Sequence, residues 1–182
     1  MKAIQERNRR KYYVKKNTTP VILDDVFNMT KTFQKKMGYD LEYVQILSSC
    51  QPDFYKEYQI PKKNGKKRII HELFPNLKDF QYWILDNILK SEGVLRKVSS
   101  VATAFMPNVS IKDNTGKHIG KHSLVCMDLK DFFSNVHQIE VYSIFKVLGY
   151  GKDVAGMLSH LCTLNDVLLQ GAPLALCFQI WQ

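Results

Sequence analysis

The sequence predicts an α+β fold in which one β-hairpin and one short buried strand are combined with several helices. An Asn-Gly pair at residues 64–65 lies between two runs of alternating apolar residues, which is a strong hairpin signal. Residues 76–90 repeat apolar side chains at the spacing of a helix with one buried face. Residues 124–128 form a short apolar run, typical of a buried strand.

Two helices are predicted before the hairpin, over residues 21–36 and 41–49. Asp24, Asp25 and Asp40 stand where the first turns of these helices begin, and such side chains accept hydrogen bonds from unpaired backbone N–H groups. The remaining segments are predicted in chain order as irregular or extended (101–113), helical (141–148 and 154–162) and a loop (170–173).

The predicted hairpin joins residues 55–61 to residues 66–71, and Pro61 indicates an edge strand. Five of the seven residues at 62–68 are Lys or Arg. Because side chains alternate along a strand, Lys66 and Arg68 are expected on one face and Lys67 on the other. Arg can hold phosphate oxygens with two N–H groups at once, which favours an anion site. A solvated edge strand that uses lysines to prevent aggregation is the alternative.

Positive charge is concentrated in the front of the chain. The formal net charge is +9, yet residues 123–182 carry three basic and five acidic residues, so the first 122 residues hold the whole excess. This asymmetry indicates a polyanionic partner for the front part. Tyr12 and Tyr13 lie among seven basic residues in the first 16, a pattern that fits either nucleic-acid contact or a solvated tail. No secretory signal or membrane span is recognised, so a cytoplasmic location is expected.

Asp128 is the most specific acidic position, because it ends the predicted buried strand. A carboxylate there is costly unless it is paired, solvated or bound to a metal ion, and the sequence leaves these alternatives open. If the strand continued, Asp131 would face the opposite side, so a chelating pair does not follow from the spacing. Asp131 is also well placed to cap the next turn.

Several segments in consistent order resemble the fingers and palm of bacterial reverse transcriptases of the retron and group II intron type. The resemblance covers residues 42–173. The segments are YQIPKKNGKKRII at 58–70, LKDFQYWIL at 77–85, ATAF at 102–105, SIKDN at 110–114 with His118, MDLKDFFSNV at 127–136 and LQGAP at 169–173.

This resemblance implies a right-hand polymerase fold with fingers and an incomplete palm, and a reaction driven by two Mg²⁺ ions. It implies that Asp128 is the first metal-binding, catalytic carboxylate. Implied partners are an RNA template, a primer–template duplex and deoxynucleoside triphosphates. The implied nucleotide-binding residues are Lys62, Arg68, Asp131, Phe132, Phe133 and Gln170, and the implied nucleic-acid contacts are Lys63, Lys66 and Lys67. Phe133 would exclude a 2′-hydroxyl, and a core position is its alternative.

The resemblance also divides the chain. It implies a basic N-terminal segment and helix at 1–41, fingers at 42–122, the start of the palm at 123–173 and a tail at 174–182. Family members continue after the Gln-Gly-Ala-Pro motif with Thr-Ser-Pro-x-Leu-Ser-Asn and later Tyr-x-Asp-Asp, and the printed sequence has neither. One carboxylate cannot hold two metal ions, so this chain is expected to be inactive alone. A non-catalytic nucleic-acid-binding module is the competing interpretation.

The tail at 174–182 is expected to be an out-of-frame reading of the family motif, since a one-base shift within degenerate codons yields Thr-Ser-Pro-Leu-Leu-Ser-Asn-Leu-Ala. The alternative is a genuine divergent terminus. Gln179 and Gln182 interrupt its apolar run without turn residues, so the tail is expected to pack poorly, with Leu176, Phe178 and Trp181 exposed.

Overall fold

Two capped helices begin the described part of the computed structural model, which covers residues 25–49, 51–61, 65, 67–98, 103 and 109–178. The first helix, α1 (Val26–Met37), has Asp25 as its N-cap, which accepts a 2.7 Å hydrogen bond from the Asn28 N–H. The second, α2 (Leu41–Ser49), begins after Asp40, which accepts from the Tyr43 N–H at 2.9 Å. Both predicted helices are confirmed, although residues 21–24 lie outside the described range.

The predicted hairpin is confirmed as an antiparallel pair of strands. A 3₁₀ turn (Gln51–Phe54) leads into β1 (Tyr55–Pro61), which pairs with β2 (Lys67–Leu73) from Tyr55 opposite Leu73 to Pro61 opposite Lys67. Gly65 in the connection has φ +77°, a backbone conformation that glycine adopts without steric cost.

A long helix follows the hairpin, as predicted. Helix α3 (Pro75–Ile84) continues into a π-helical turn (Leu85–Leu89), and a short helix, α4 (Glu92–Leu95), comes next. All five positions of the predicted apolar stripe are buried, namely Leu77, Phe80, Ile84, Leu85 and Ile88. Trp83 is buried as well, while Tyr82 is half-buried.

The prediction that residues 101–113 are irregular or extended is wrong at the C-terminal end of this segment, because Ile111–Gly116 forms a short helix, α5. Ser110 and Asp113 make a capping box: the Ser110 N–H donates to Asp113 Oδ2 at 2.7 Å, and the Asp113 N–H donates to Ser110 Oγ at 3.4 Å. The hydrogen bonds from Ser110 lower the pKa of the Asp113 carboxyl. This reciprocal cap supplies the start signal that apolar periodicity does not show.

The buried strand predicted at residues 124–128 is also wrong. The segment has no strand partner among the described residues, and its side chains are exposed, Leu124 by 62% and Met127 by 89%. A strand that is apolar on both faces is buried only when other layers, such as helices, cover both faces of its sheet. The strands of the described residues form two two-stranded hairpins, and neither includes the run at 124–128, which stays exposed.

The last part of the described chain contains two predicted helices and a hairpin that was not predicted. Helices α6 (Gln138–Val147) and α7 (Lys152–Cys162) are followed by β3 (Thr163–Leu164) and β4 (Val167–Leu168). Asn165 and Asp166 join these strands with φ of 49° and 62°, as a two-residue type I′ turn requires. The predicted loop at 170–173 leads to a final short helix, α8 (Ala175–Phe178).

One continuous hydrophobic core connects these elements, from Met29 in α1 to Phe178 in α8. Helix α7 packs against α1, α2, α3 and α6. The ring of Phe33 meets Phe80 and Trp83 edge-on, with ring centroids 4.8 Å apart in both pairs. Such aromatic pairs add to the stabilisation that burial itself provides. The described chain is therefore a mixed structure of helices and small antiparallel sheets, as the α+β class predicts, and none of its helices is long and apolar enough to cross a membrane.

The prediction that the side chains of the tail at 174–182 are exposed is wrong for Phe178. Leu174, Ala175 and Phe178 are fully buried, and the Phe178 ring meets Phe145 edge-on at 6.0 Å between centroids. Positions 174, 175 and 178 share one helical face, so even a four-residue helix can direct three apolar side chains into the core. The side chain of Leu176 and all of Trp181 lie outside the described residues.

We expect Phe178→Ala to lower the free energy of unfolding by about 3–5 kcal/mol, because it removes a fully buried ring and leaves a cavity. Urea unfolding followed by circular dichroism measures this loss. Ile139→Ala is the control, since Ile139 is 66% exposed and its truncation should change stability by less than about 1 kcal/mol. Equal stability of the two variants would show that α8 does not belong to the core.

Candidate functional site

Strand β2 places Arg68 on a defined face of the hairpin. Arg68 is directly opposite Ile60, and Tyr58 is opposite Ile70, so these four side chains share one face. Lys67 is opposite Pro61 on the other face and is exposed. The predicted opposition of Arg68 and Lys67 is therefore confirmed. The remaining predicted cations of the hairpin, Lys62, Lys63 and Lys66, lie outside the described residues.

Arg68 and Gln170 form a hydrogen bond although they are 102 positions apart in the chain. Arg68 Nη2 donates to Gln170 Oε1 at 2.6 Å, and both side chains are exposed. A guanidinium carries five N–H donors, and within the described residues Gln170 is the one hydrogen-bond partner of Arg68. The other N–H groups of the guanidinium can therefore bind an anion. The hydrogen bond to Gln170 restricts the direction of the Arg68 side chain.

The loop that carries Gln170 is held by the strand before it and by buried residues after it. The Leu168 N–H in β4 donates to the Val136 carbonyl at 2.9 Å, and the Gln138 N–H donates to the Asp166 carbonyl at 2.8 Å. Gly171 turns the chain with φ +90°, and Ala172 is buried. These bonds place Gln170 next to the segment that ends at Val136.

That neighbouring segment contains three of the predicted nucleotide-binding residues. Asp131 has φ +52°, and its carbonyl accepts hydrogen bonds from Ser134 Oγ at 2.9 Å and Asn135 Nδ2 at 2.8 Å. Phe132 and Phe133 are half-buried, meet edge-on at 5.3 Å between centroids and pack against the core. Phe133 also begins a 3₁₀ turn (Phe133–Asn135) that packs against β4. The prediction that the Asp131 side chain caps this turn is wrong, because the turn has no side-chain cap and Asp131 instead accepts two side-chain hydrogen bonds through its carbonyl.

Asp128 stands apart from these contacts. It is exposed, and no hydrogen bond or ion pair of its side chain is found in the described part of the chain. No group of three or more His, Cys, Asp or Glu side chains within the described ranges could hold a metal ion. One isolated carboxylate does not match the donor set of a two-metal centre, which needs several carboxylates around both ions. The described residues therefore do not form a complete metal site by themselves.

The base of the hairpin contains buried polar groups that sequence reasoning missed. Gln81 in α3 is fully buried and donates through Nε2 to the Leu161 carbonyl at 3.0 Å and to Tyr55 Oη at 3.5 Å. Burial, and then the nearby Cys162 thiol, raise the pKa of Tyr55, so its hydroxyl stays protonated. Across the hairpin, His71 Nε2 lies 3.5 Å from Glu57 Oε2. No local pattern indicates the Gln81 contacts, whereas the Asn-Asp pair at 165–166 was a readable signal for the second hairpin.

The curated relatives to which this chain is similar are reverse transcriptases. Retron Ec86 reverse transcriptase from Escherichia coli is 31% identical over 152 residues, which cover 81% of this chain and 46% of the relative. Retron Mx65 reverse transcriptase from Myxococcus xanthus is 34% identical over 112 residues, covering 62% of this chain and 25% of the relative. Retron Ec48 reverse transcriptase from Escherichia coli is 30% identical over 148 residues, which cover 76% of this chain and 36% of the relative.

These three relatives are retron enzymes. The predicted resemblance of this chain to retron reverse transcriptases is therefore confirmed over most of its length. The chain spans about half the length of the first of these relatives and less of the others. No family model matches the chain.

The backbone of Asp131 gives a testable consequence. We expect Asp131→Ala to lower the free energy of unfolding by about 1 kcal/mol, because alanine is strained at positive φ. Asp131→Gly should cause no loss, since glycine adopts this conformation freely. Urea unfolding of both variants measures the difference.

Asp153 provides the matched control, because it lies in the first turn of α7. There the order should reverse, with Asp153→Gly less stable than Asp153→Ala. The same order at both positions would contradict the left-handed assignment at Asp131.

Proposed function

We propose that this chain forms the nucleotide-binding and template-binding part of an RNA-directed DNA polymerase of the retron type. The observation that carries this proposal is the hydrogen bond between Arg68 and Gln170. The resemblance assigned both residues to the nucleotide, and the fold brings them together from distant parts of the chain. The curated relatives support the class of enzyme, because they are retron reverse transcriptases.

In this proposal Arg68 holds the triphosphate. Its guanidinium offers planar pairs of N–H groups to phosphate oxygens, and it offsets the charge that develops on the leaving pyrophosphate. Gln170 keeps the arm of Arg68 directed toward the site before the nucleotide arrives. Lys62 is proposed to contact the same phosphates.

The turn that follows Asp131 receives the rest of the nucleotide. Phe133 packs against the sugar and excludes a 2′-hydroxyl, which gives a preference for deoxynucleotides. Backbone N–H groups at Asp131 and Phe132 contact phosphate oxygens. Phe133 is half-buried against the core, which restricts its ring to few orientations and suits a steric gate.

The proposed nucleic-acid partners are an RNA template and a primer–template duplex, bound by Lys63, Lys66 and Lys67 on the hairpin. The fingers at 42–122 and the start of the palm at 123–173 are the proposed domains. A divalent metal ion, Mg²⁺, would lower the charge on the reacting phosphates, and Asp128 is the proposed ligand from this chain. Since no group of three or more metal-binding side chains is found among the described residues, synthesis is proposed to need acidic residues in addition to Asp128.

We expect Arg68→Ala to weaken the binding of a deoxynucleoside triphosphate about ten- to a hundred-fold, because hydrogen bonds to a charged group are lost. Isothermal titration calorimetry with one deoxynucleoside triphosphate measures this change. Gln170→Glu should also weaken binding, since its carboxylate would pair with Arg68 and repel the phosphates.

Arg96→Ala is the matched control for Arg68→Ala. Arg96 is exposed and paired with Glu92 at 3.7 Å on α4, outside the proposed site. Its loss should leave triphosphate affinity unchanged. Equal affinities of the Arg68 and Arg96 variants would refute the assignment of Arg68.

The proposed contact with nucleic acid predicts a strong salt dependence of RNA binding. Each phosphate neutralised on a single strand adds about 0.7 to the slope of log affinity against log salt, because counterions are released. Replacing Lys62, Lys66 and Arg68 with Ala should therefore lower that slope by up to about 2. Fluorescence anisotropy with a labelled RNA oligomer at several salt concentrations checks it, and an affinity independent of salt would rule out this mode of binding.

A further inference from the structure

An open polar groove lies between α2 and α7, on a part of the molecule that the proposed nucleotide site does not use. Its volume is about 840 Å³, which is within the usual range for ligand pockets. The walls include Gln45 from α2 and Met157 and His160 from α7. The turn between β3 and β4 closes one end with Asn165 and Asp166.

The chemistry of the groove favours a neutral ligand with hydrogen-bond donors. Asp166 contributes a carboxylate, Gln45 and Asn165 contribute amides, and none of the described residues that line the groove is Lys or Arg. The side chains of Gln45, Asn165 and Asp166 make no hydrogen bond to other described residues. The Asp166 carboxylate repels phosphate groups, so the described lining favours an uncharged group over a phosphate.

The backbone of the turn that carries Asp166 has a defined conformation. Asn165 and Asp166 have φ of 49° and 62°, and the Asp166 carbonyl accepts a 2.8 Å hydrogen bond from the Gln138 N–H. Glycine is the residue that a type I′ turn prefers at its second position, so Asp166 is held in a less favourable conformation than Gly would be. The turn therefore holds the backbone of Asp166 at the end of the groove, where its side chain is an available hydrogen-bond acceptor.

We infer that this groove binds an unpaired nucleobase with an amino group on its pairing edge. Carboxylates and amides accept hydrogen bonds from the amino groups of adenine and cytosine, which uracil lacks. Unpaired RNA bases also stack on imidazole rings, and His160 together with the polarizable Met157 supplies such a surface. This inference rests on the proposed function, because the base would belong to the RNA that the hairpin binds.

The groove is separate from the proposed triphosphate site. The residues of the proposed triphosphate site do not line the groove, and Asp166 and Gln170 are four positions apart, which is at most about 13 Å for an extended chain. A strand of RNA can therefore place one base in the groove while other nucleotides contact the hairpin. The groove would add base preference to binding that is otherwise set by phosphate charge.

The test measures binding of the full chain to labelled 12-nucleotide homopolymers of adenosine, cytidine and uridine. We expect the adenosine and cytidine oligomers to bind about ten-fold more tightly than the uridine oligomer. Asp166→Gly and Gln45→Ala should each reduce this ratio several-fold without changing the salt dependence. Glycine suits the turn, so Asp166→Gly should fold.

Asp153→Ala is the control, because it removes the same charge from α7 at a position outside the groove. It should leave the base preference unchanged. An equal affinity for all three oligomers, or a preference that persists in Asp166→Gly, overturns the groove assignment while salt-dependent binding still supports the proposed function. Absence of salt-dependent binding to any oligomer overturns both. A groove that binds an arginine-rich peptide but no base belongs to a protein partner, which also overturns the assignment.

Discussion

The burial of α3 between α1 and α7 is the constraint on which the rest of the structure depends. Phe80, Trp83 and Ile84 fill this contact, with Phe33 edge-on to the first two rings. Gln81 is fully buried on the same helix and donates to the Leu161 carbonyl, one of the last carbonyls of α7. A helix end leaves such carbonyls unpaired, so this side chain satisfies an acceptor that burial would otherwise make costly.

The same residue connects the core to the hairpin. Gln81 Nε2 also lies 3.5 Å from Tyr55 Oη at the first residue of β1, and burial raises the pKa of Tyr55. The start of β1 and the end of α7 therefore both accept hydrogen bonds from Gln81 in α3. Among the described residues, Gln81 Oε1 is a buried side-chain atom without a partner, which is a cost that the surrounding packing offsets.

The proposed site follows from this arrangement. Arg68 lies in β2, and the partner strand of β2 begins at Tyr55. Gln170 follows the β3–β4 hairpin, which comes directly after α7. Both elements start from the junction at Gln81, so their exposed ends meet in one orientation. Contacts built on rigid elements position a ligand more accurately than contacts between free loops. Asp128, in contrast, lies on a segment without a strand partner in the described chain, and nothing in the described core fixes its direction.

The sequence by itself determined the local elements and the identity of the candidate residues. Caps at Asp25 and Asp40, the Asn-Gly turn and the apolar stripe of α3 are short-range signals, because neighbouring residues alone decide them. The motifs around Arg68 and Gln170 indicated a resemblance to retron reverse transcriptases, which the curated relatives confirm. Only the tertiary structure decided that Arg68 meets Gln170, that Phe178 is buried and that residues 124–128 are exposed. An apolar pattern indicates that a segment can be buried. Burial also requires a neighbouring surface, and that surface comes from distant parts of the chain.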